Sequence, residues 1–555
     1  MLQSGVASAL PLFELQQLFL VGGILASLAI VRALSPAEWR WSGRLRRRFV
    51  LGVPWGTLLT ILGVLSVYWF VQGGWDHPKR PMTIPFYSWS YFYPLGNIVS
   101  PFAHQGMGHL TGNLQGTLVY APVVEYVVGH YPRERGSETF SSWRTNPYVR
   151  VLAVPVGALV FGLFTGLFTA GPVIGFSGVV FAFAGFALVS RPLLAVFALV
   201  SERVVSVVYS GLKNPTLIRE PSPGLFSPWW ADVAVQGHAL GVLAGAGLAV
   251  LLLRSREERP KAMYLWLAAV IFGIRQSLWA IYRPRGDSEF VLYRAVGVGL
   301  VFLFAAVLAS AVWASDRPIS ARIDLPRRKT AFSVVVVVLL GISAAAIPFG
   351  FASVSGDLSA DATTVEVRDY TVTYVEGVPN QYAAFANEWL FGESAQIRSS
   401  GVVVVSEQRR IWYEATSKQS LAFNGFTRVR VGGVGWRETV YASRDGWSLS
   451  GSGTAYRVSI WRHGQDRKSA YETGPITAKP IIAGRNVSIA PSDDGFSLRV
   501  SRGNVTLGRA AMPGPANATD VGGLTLERRD RNLFAVYNDT RVQVATKSRA
   551  GRQQL

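Results

Sequence analysis

The chain has 555 residues, half of them hydrophobic and only 16% charged, with a formal net charge of +20 and no cysteine. Soluble domains carry about 25% charged residues, so the composition excludes an ordinary soluble protein, and the missing cysteine excludes disulfides and zinc–thiolate sites. The excess of Lys and Arg would suit nucleic acid, but in a membrane protein these residues set topology, so no nucleic-acid partner is expected.

Residues 1–12 lack a basic stretch ahead of the first apolar run, so a cleaved signal peptide is not expected. Apolar runs of about 20 residues, the length that crosses a bilayer, recur at 13–34, 50–72, 105–128, 149–170, 175–190, 193–212, 231–253, 262–282, 290–314 and 330–352. The pair 175–190 and 193–212 is parted only by "SRP", and Ser201-Glu202-Arg203 interrupts the second member. No internal repeat is evident. Basic segments follow the first, third, seventh and ninth runs, at 40–48, 132–150, 254–261 and 316–329. In a ten-span arrangement all four fall on one side, which the positive-inside rule makes cytoplasmic. The loop 73–103 and everything after 352 then lie outside, and the expected location is a multi-pass membrane protein, in the plasma membrane.

After 352 the character changes. Short β-branched and aromatic runs such as "TTVEVRDYTVTYVEG" and "GVVVVSEQRRIWYEAT" alternate with Gly, Pro, Asn and Asp. This predicts an extracytoplasmic all-β domain, of sandwich type. It holds four N-x-S/T sequons, at Asn486, Asn504, Asn517 and Asn538, so glycosylation is expected there.

Candidate chemistry lies among the spans. Of six histidines, His104, His109 and His238 fall in or at apolar runs, while His77, His130 and His463 do not. Ionisable residues within spans are functional candidates. Gly241 and Gly245 follow His238 at i+3 and i+7, on its helical face, and Ser177, Phe181 and Gly185 share a face by the same arithmetic. Small residues let helices approach closely, so the two faces would bring a hydroxyl to an imidazole, the minimum for nucleophilic catalysis. His109 and Asn113 are i,i+4 and point one way, as donors to a developing oxyanion. Each feature has a plainer reading. A lone serine in a transmembrane helix usually bonds its own backbone, a lone histidine can serve a pore or proton relay, and GxxxG alone is helix packing. "GFSGV" also lacks the second glycine of the soluble nucleophile elbow. Three patterns on three alternate spans weigh against coincidence.

Together these motifs resemble the rhomboid family of intramembrane serine proteases. The resemblance rests on H-x4-H-x3-N at His104, His109 and Asn113, on G-x-S-G at Gly175 to Gly178, and on His238 with Gly241 and Gly245. It covers about 50–253 and implies a six-helix core with a Ser–His dyad. Ser177 would be the nucleophile and His238 the base. His109, Asn113 and the Ser177 N–H would form the oxyanion hole, with His104 a structural member near the mouth. The implied reaction is peptide-bond hydrolysis in or near a transmembrane substrate helix, without cofactor or metal. The family's tyrosine four residues after the nucleophile is Phe181 here, and Trp89 in the first outer loop lacks the family's adjacent arginine.

The expected organisation is therefore an extra N-terminal span and basic loop (1–49), the protease-like core (50–253), three further spans (254–352) and a β-rich domain (353–555). His238, about eight residues into its span, would lie ~12 Å below the outer surface, in a cavity open outward. The expected partners are membrane lipid and transmembrane protein substrates; the sequence leaves oligomeric state open. Two alternatives stand beside this reading: a rhomboid-like client-binding protein without catalysis, and a proton-coupled carrier. Against the carrier stand the absence of an inverted repeat and the near-absence of carboxylates in the spans.

Overall fold

A computed structural model describes residues 9–34, 45, 48–129, 146–214, 234–256, 259–285, 289–314, 317–320, 323–355, 362–381 and 398–548. Most of the basic segments 40–48 and 132–150, together with 231–233, 257–258, 316 and 321–322, lie outside the described residues. The chain divides into two units, Met1–Phe351 and Ala352–Leu555.

The first unit is helical. Among the described residues its helices are α1 (Ala9–Leu34), α2 (Trp55–Ser66, continued by one π turn to Val71), α3 (Pro94–Val99), α4 (Met107–Val128), α5 (Pro147–Phe168) and α6 (Ser177–Ser190). They are followed by α7 (Pro192–Lys213), α8 (Val235–Arg256), α9 (Ala262–Arg275), α10 (Arg294–Trp313) and α11 (Arg327–Gly350). Each of the ten expected apolar runs holds one helix. Five of them, α5, α7, α8, α10 and α11, are long and apolar enough to cross a membrane, whereas α2, α6, α9 and the apolar part of α1 are shorter. The pair separated only by "SRP" breaks at Arg191, and Pro192 opens α7 at the first helical position, where its missing N–H costs nothing. Short hairpins, β1 (Tyr282–Arg285) with β2 (Glu289–Leu292) and β3 (Pro318–Ser320) with β4 (Ile323–Pro326), join the last three helices.

Helix α6 sits at the centre, with every residue from Gly178 to Ser190 buried. Its closest neighbour is α8, and glycine sets the spacing. A Cβ at Gly245 would stand 1.9 Å from the Ala182 carbonyl oxygen, one at Gly241 2.2 Å from that of Gly178, and one at Gly185 2.2 Å from that of Val242. At α2 the Glu125 carboxylate of α4 accepts the Gly56 and Thr57 N–H groups at 3.0 and 2.9 Å, satisfying two donors of that helix start. Leu265 and Phe272 of α9, Leu308 of α10 and Val335 of α11 belong to the same apolar cluster as Phe181 and Leu243. The three further helices after 253 thus pack in the same apolar cluster.

Among the described residues the second unit is built of strands and one short helix, α12 (Lys418–Asn424), capped by Ser417 at Ser420 N–H and ended by Gly425 at φ +72°. Strands β5 (Thr364–Val367), β6 (Tyr370–Pro379), β7 (Arg398–Ser406) and β8 (Ile411–Ser417) form one four-stranded antiparallel sheet. A second contains β13 (Ile476–Thr477), β14 (Asn486–Ser492), β15 (Gly495–Arg502) and β16 (Val505–Ala511). An eight-stranded sheet runs β12-β11-β10-β20-β19-β18-β17, with β9 also paired to β10. Its strands are β9 (Phe426–Gly433), β10 (Trp436–Leu449), β11 (Thr454–Arg462), β12 (Lys468–Glu472), β17 (Ala518–Val521), β18 (Leu524–Arg529), β19 (Asn532–Tyr537) and β20 (Thr540–Lys547). Trp447, Leu533 and Val544 of this sheet pack on Val487, Ile489, Leu498 and Val500 of the second. Near its other end, the Tyr370 hydroxyl of β6 donates to Gly432 O at 2.7 Å. The arrangement is therefore a long sheet shared by two smaller ones, instead of a single two-sheet sandwich. Asn504, Asn517 and Asn538 are exposed, and Asn486 is half-buried at the start of β14.

Candidate active site

Ser177 is the first residue of α6, and the three residues before it are fixed from several sides. Gly175 has φ +133°, a region that L side chains rarely adopt, and a Cβ there would stand 2.5 Å from His109 Cε1. Its N–H donates to Ser100 O at 2.9 Å. Phe176 is fully buried and lies against Phe102, with ring centres 5.9 Å apart. The loop before α3 also holds this approach. Ser88 N–H donates to Val173 O at 3.1 Å, and Val173 N–H donates back to Ser88 Oγ at 3.2 Å. The loop is folded inward, with Trp89 buried and its Nε1–H donating to Ile84 O at 2.7 Å.

His238 lies in the first turn of α8, three residues past Val235. That is shallower along its helix than the eight residues expected from an apolar run starting at 231. Gln236 fixes this turn by accepting from Ala170 N–H at 2.9 Å and donating to Phe168 O at 3.0 Å. His238 Nε2 stands 3.0 Å from Ser177 Oγ. The Phe181 ring, one turn below the serine, lies parallel to the imidazole with centres 4.0 Å apart and planes 7° off parallel. His238 Nδ1 is buried and has no hydrogen-bond partner among the described residues. Among the described residues, ring packing and the Ser177 hydroxyl hold the imidazole.

A cavity of about 490 Å³ opens beside this pair, and Ser177, His238, Phe181, His109 and Asn113 all line it. Asn113 Nδ2 donates to His104 Nε2 at 3.0 Å, which leaves its second amide hydrogen free to turn toward the cavity. His104 is fully buried and does not stand at the mouth; it lies behind Asn113. The Gln72 amide takes both backbone groups of His104, accepting from its N–H and donating to its carbonyl, each at 2.8 Å. Gly178 packs on Thr165, whose Oγ1 would be 2.8 Å from a Cβ there.

Sequence reasoning missed Gln72 and Gln236, because their roles depend on partners 32 and 66 residues away. It also passed over Glu202 of α7, which lines the cavity. Its signal was present in the Ser-Glu-Arg that interrupts an apolar run. Glu125, in α4, is the buried carboxylate of the helical unit among the described residues, and Glu202 is half-buried. Among the described residues, no three His, Asp or Glu gather in a way that would hold a metal ion.

Chemically, the arrangement offers a hydroxyl at a helix start, an imidazole nitrogen 3.0 Å from it, and polar donors lining the same space. Comparison with protein-family models, with curated proteins and with solved structures finds no match.

Proposed function

We propose that this chain is an intramembrane serine endopeptidase of the rhomboid type, cutting peptide bonds in or near transmembrane segments. The single observation that carries this reading is the 3.0 Å approach of Ser177 Oγ to His238 Nε2 beneath a cavity that His109 and Asn113 also line. In this reading Oγ attacks the scissile carbonyl carbon as its proton passes to Nε2. The tetrahedral oxyanion is met by the Ser177 N–H, which no intrahelical carbonyl uses, and by His109 and the free Asn113 amide hydrogen. Nε2 then protonates the leaving amine, and a water molecule, deprotonated in turn by His238, releases the acyl group from Oγ. The ten helices form ten spans with the basic loops in the cytoplasm. The N-termini of α4, α6 and α8 then face outward together, so water reaches the dyad from that side.

The test is cleavage of a single-span reporter by the purified full chain in detergent and in vesicles. Ser177→Ala and His238→Ala should each lower kcat/KM by at least about 10³-fold, as removal of a dyad member does. Near-normal cleavage by either variant removes the assignment. His109→Ala and Asn113→Ala should each cost about 10²–10³ in kcat, the scale of one oxyanion donor. One observation favours the carrier reading, namely Glu202 in the cavity. It predicts proton flux that survives Ser177→Ala, with no cleavage product from the wild type.

A further inference from the structure

The far side of the cavity carries polar groups that the proposed chemistry does not use. Glu202 stands ten residues into α7, between Ser201 and Arg203, and lines the cavity. Its carboxylate accepts from Gln276 Nε2 at 3.3 Å, the one hydrogen bond it makes among the described residues. Gln276 follows the last residue of α9, a helix of only 14 residues that ends beside this space. Across from them is Tyr120 of α4, only 1% exposed, whose hydroxyl has no hydrogen-bond partner among the described residues. An acidic oxygen, an amide and an unpaired buried hydroxyl thus line the same cavity as the dyad, together with Phe181 and Phe272, whose ring centres are 5.7 Å apart. Orphaned polar groups in an apolar setting cost free energy unless a ligand or water satisfies them. A residue so placed within a membrane helix points to function.

We infer that Glu202, with Gln276 and Tyr120, forms a subsite that accepts a basic side chain, lysine or arginine, from the transmembrane segment of the substrate. The inference rests on the proteolytic reading for its substrate class. The chemistry that recognises the ligand is local. A Lys or Arg within a bilayer seeks a carboxylate and hydrogen-bond acceptors, and Glu202 supplies a charged acceptor while the Tyr120 oxygen supplies a neutral one. An aliphatic side chain at that point would leave the Tyr120 hydroxyl unpaired and Glu202 with Gln276 as its one hydrogen-bond partner among the described residues. The subsite would therefore select among transmembrane substrates by a polar residue within the segment, and not by its flanks.

The experiment uses single-span reporters that differ at one intramembrane position, carrying Lys, Leu or Glu there, scanned through the segment. Each enzyme serves as its own control, because the readout is the ratio of kcat/KM for the Lys reporter to that for the Leu reporter. In the wild type this ratio should reach about tenfold at one register, the scale of a charge-assisted hydrogen bond. Glu202→Gln should bring it close to one, and Glu202→Lys should shift preference to the Glu reporter. Loss of fold would lower both rates and leave the ratio. Binding of the same peptides to the full-length Ser177→Ala chain in detergent gives a readout free of catalysis. A wild-type ratio near one at every register, or a ratio unchanged in Glu202→Gln, overturns the subsite. Absent cleavage with a Lys preference in binding that Glu202→Gln abolishes removes the protease reading and leaves the subsite standing. Absent cleavage with no binding preference removes both.

Discussion

Phe181 lies flat against the His238 imidazole and edge-on to Phe272, so it fixes the ring in two directions. An aromatic stack is worth about 0.5–1.5 kcal/mol beyond burial. Phe181→Ala should therefore lower kcat by up to about tenfold, with KM little changed, as measured on the single-span reporter. Phe181→Tyr keeps the ring and should retain most activity. Gly175→Ala places a methyl on the His109 ring at a backbone angle that alanine rarely adopts. In the proposed mechanism it should reduce kcat by about 10² or more, because it displaces His109, the proposed oxyanion donor, and the turn before Ser177. These glycines, the serine and the histidine were legible in the sequence, since helical periodicity alone places Ser177 with Phe181 and His238 with Gly241 and Gly245. Gln72 and Gln236 were not legible. Their amides grip backbone groups in distant loops, and nothing in a linear pattern marks which glutamine will do so.

At the scale of elements, the approach of α6 to α8 is closest where each helix has glycine, and the Ser177–His238 distance depends on it. Gly245→Val would drive side-chain atoms into the Ala182 carbonyl, a backbone atom that cannot step aside. Overpacking of this kind costs about 1–3 kcal/mol. The variant should lose several degrees of thermal stability in detergent, along with reporter cleavage. Gly247→Val, on the same helix where a Cβ meets nothing within 4 Å, is the control and should change neither. The helices themselves were legible from hydropathy, including the break at Arg191–Pro192. Their ends were less so. Apolar composition continues past 275 to about 282, but α9 stops at Arg275. The carbonyls of Phe272 and Gly273 accept the Gln276 and Leu278 N–H groups, and Ser277 turns to positive φ. Turn chemistry of this sort leaves little trace in a run of apolar letters.

Across the whole molecule, the two units answer to different variables. In the strand unit, burial works to raise the Asp369 pKa, but hydrogen bonds from Arg409 and Ser406 and the Arg409 charge outweigh it and hold it below its ordinary 3.8. Burial likewise opposes, and the Lys418, Tyr456 and Tyr374 hydrogen bonds overcome it, to hold Glu376 below its ordinary 4.5. A carboxyl whose folded pKa is depressed contributes stability that is complete above its unfolded value and fades as pH falls through the folded one. The strand unit should therefore keep its melting temperature from pH 7 down to about 5 and lose stability progressively below the two ordinary values. Near-UV circular dichroism of the full chain would follow this, and Glu376→Gln should flatten the decline. A chain ended near 355 keeps every residue of the dyad and its cavity. It should still cut a generic reporter, and complete inactivity of the correctly inserted fragment would show that the helical unit is not self-sufficient. The division into helical and strand parts was plain from composition. The sharing of one long sheet by two smaller ones was not, because alternation identifies strands but not which strands pair across 90 residues, as β10 and β20 do.

The complete burial of α6 bears on how the molecule would respond to the thickness of its bilayer. A segment of 14 residues is about 21 Å long, well short of the ~30 Å hydrocarbon layer. A helix facing lipid at that length would thin the membrane around it or tilt its neighbours. Protein wraps α6 instead, so acyl chains never touch it, and its serine is positioned by α4, α5 and α8 whatever the lipid. Peripheral helices such as α5 and α7, with apolar faces open to the surroundings, would absorb any mismatch. Reconstituted into vesicles of increasing acyl length, the chain, acting as proposed, should show kcat on a soluble peptide that varies by less than about twofold, while KM for membrane-embedded substrates, which must tilt and travel in the same lipid, drifts with thickness.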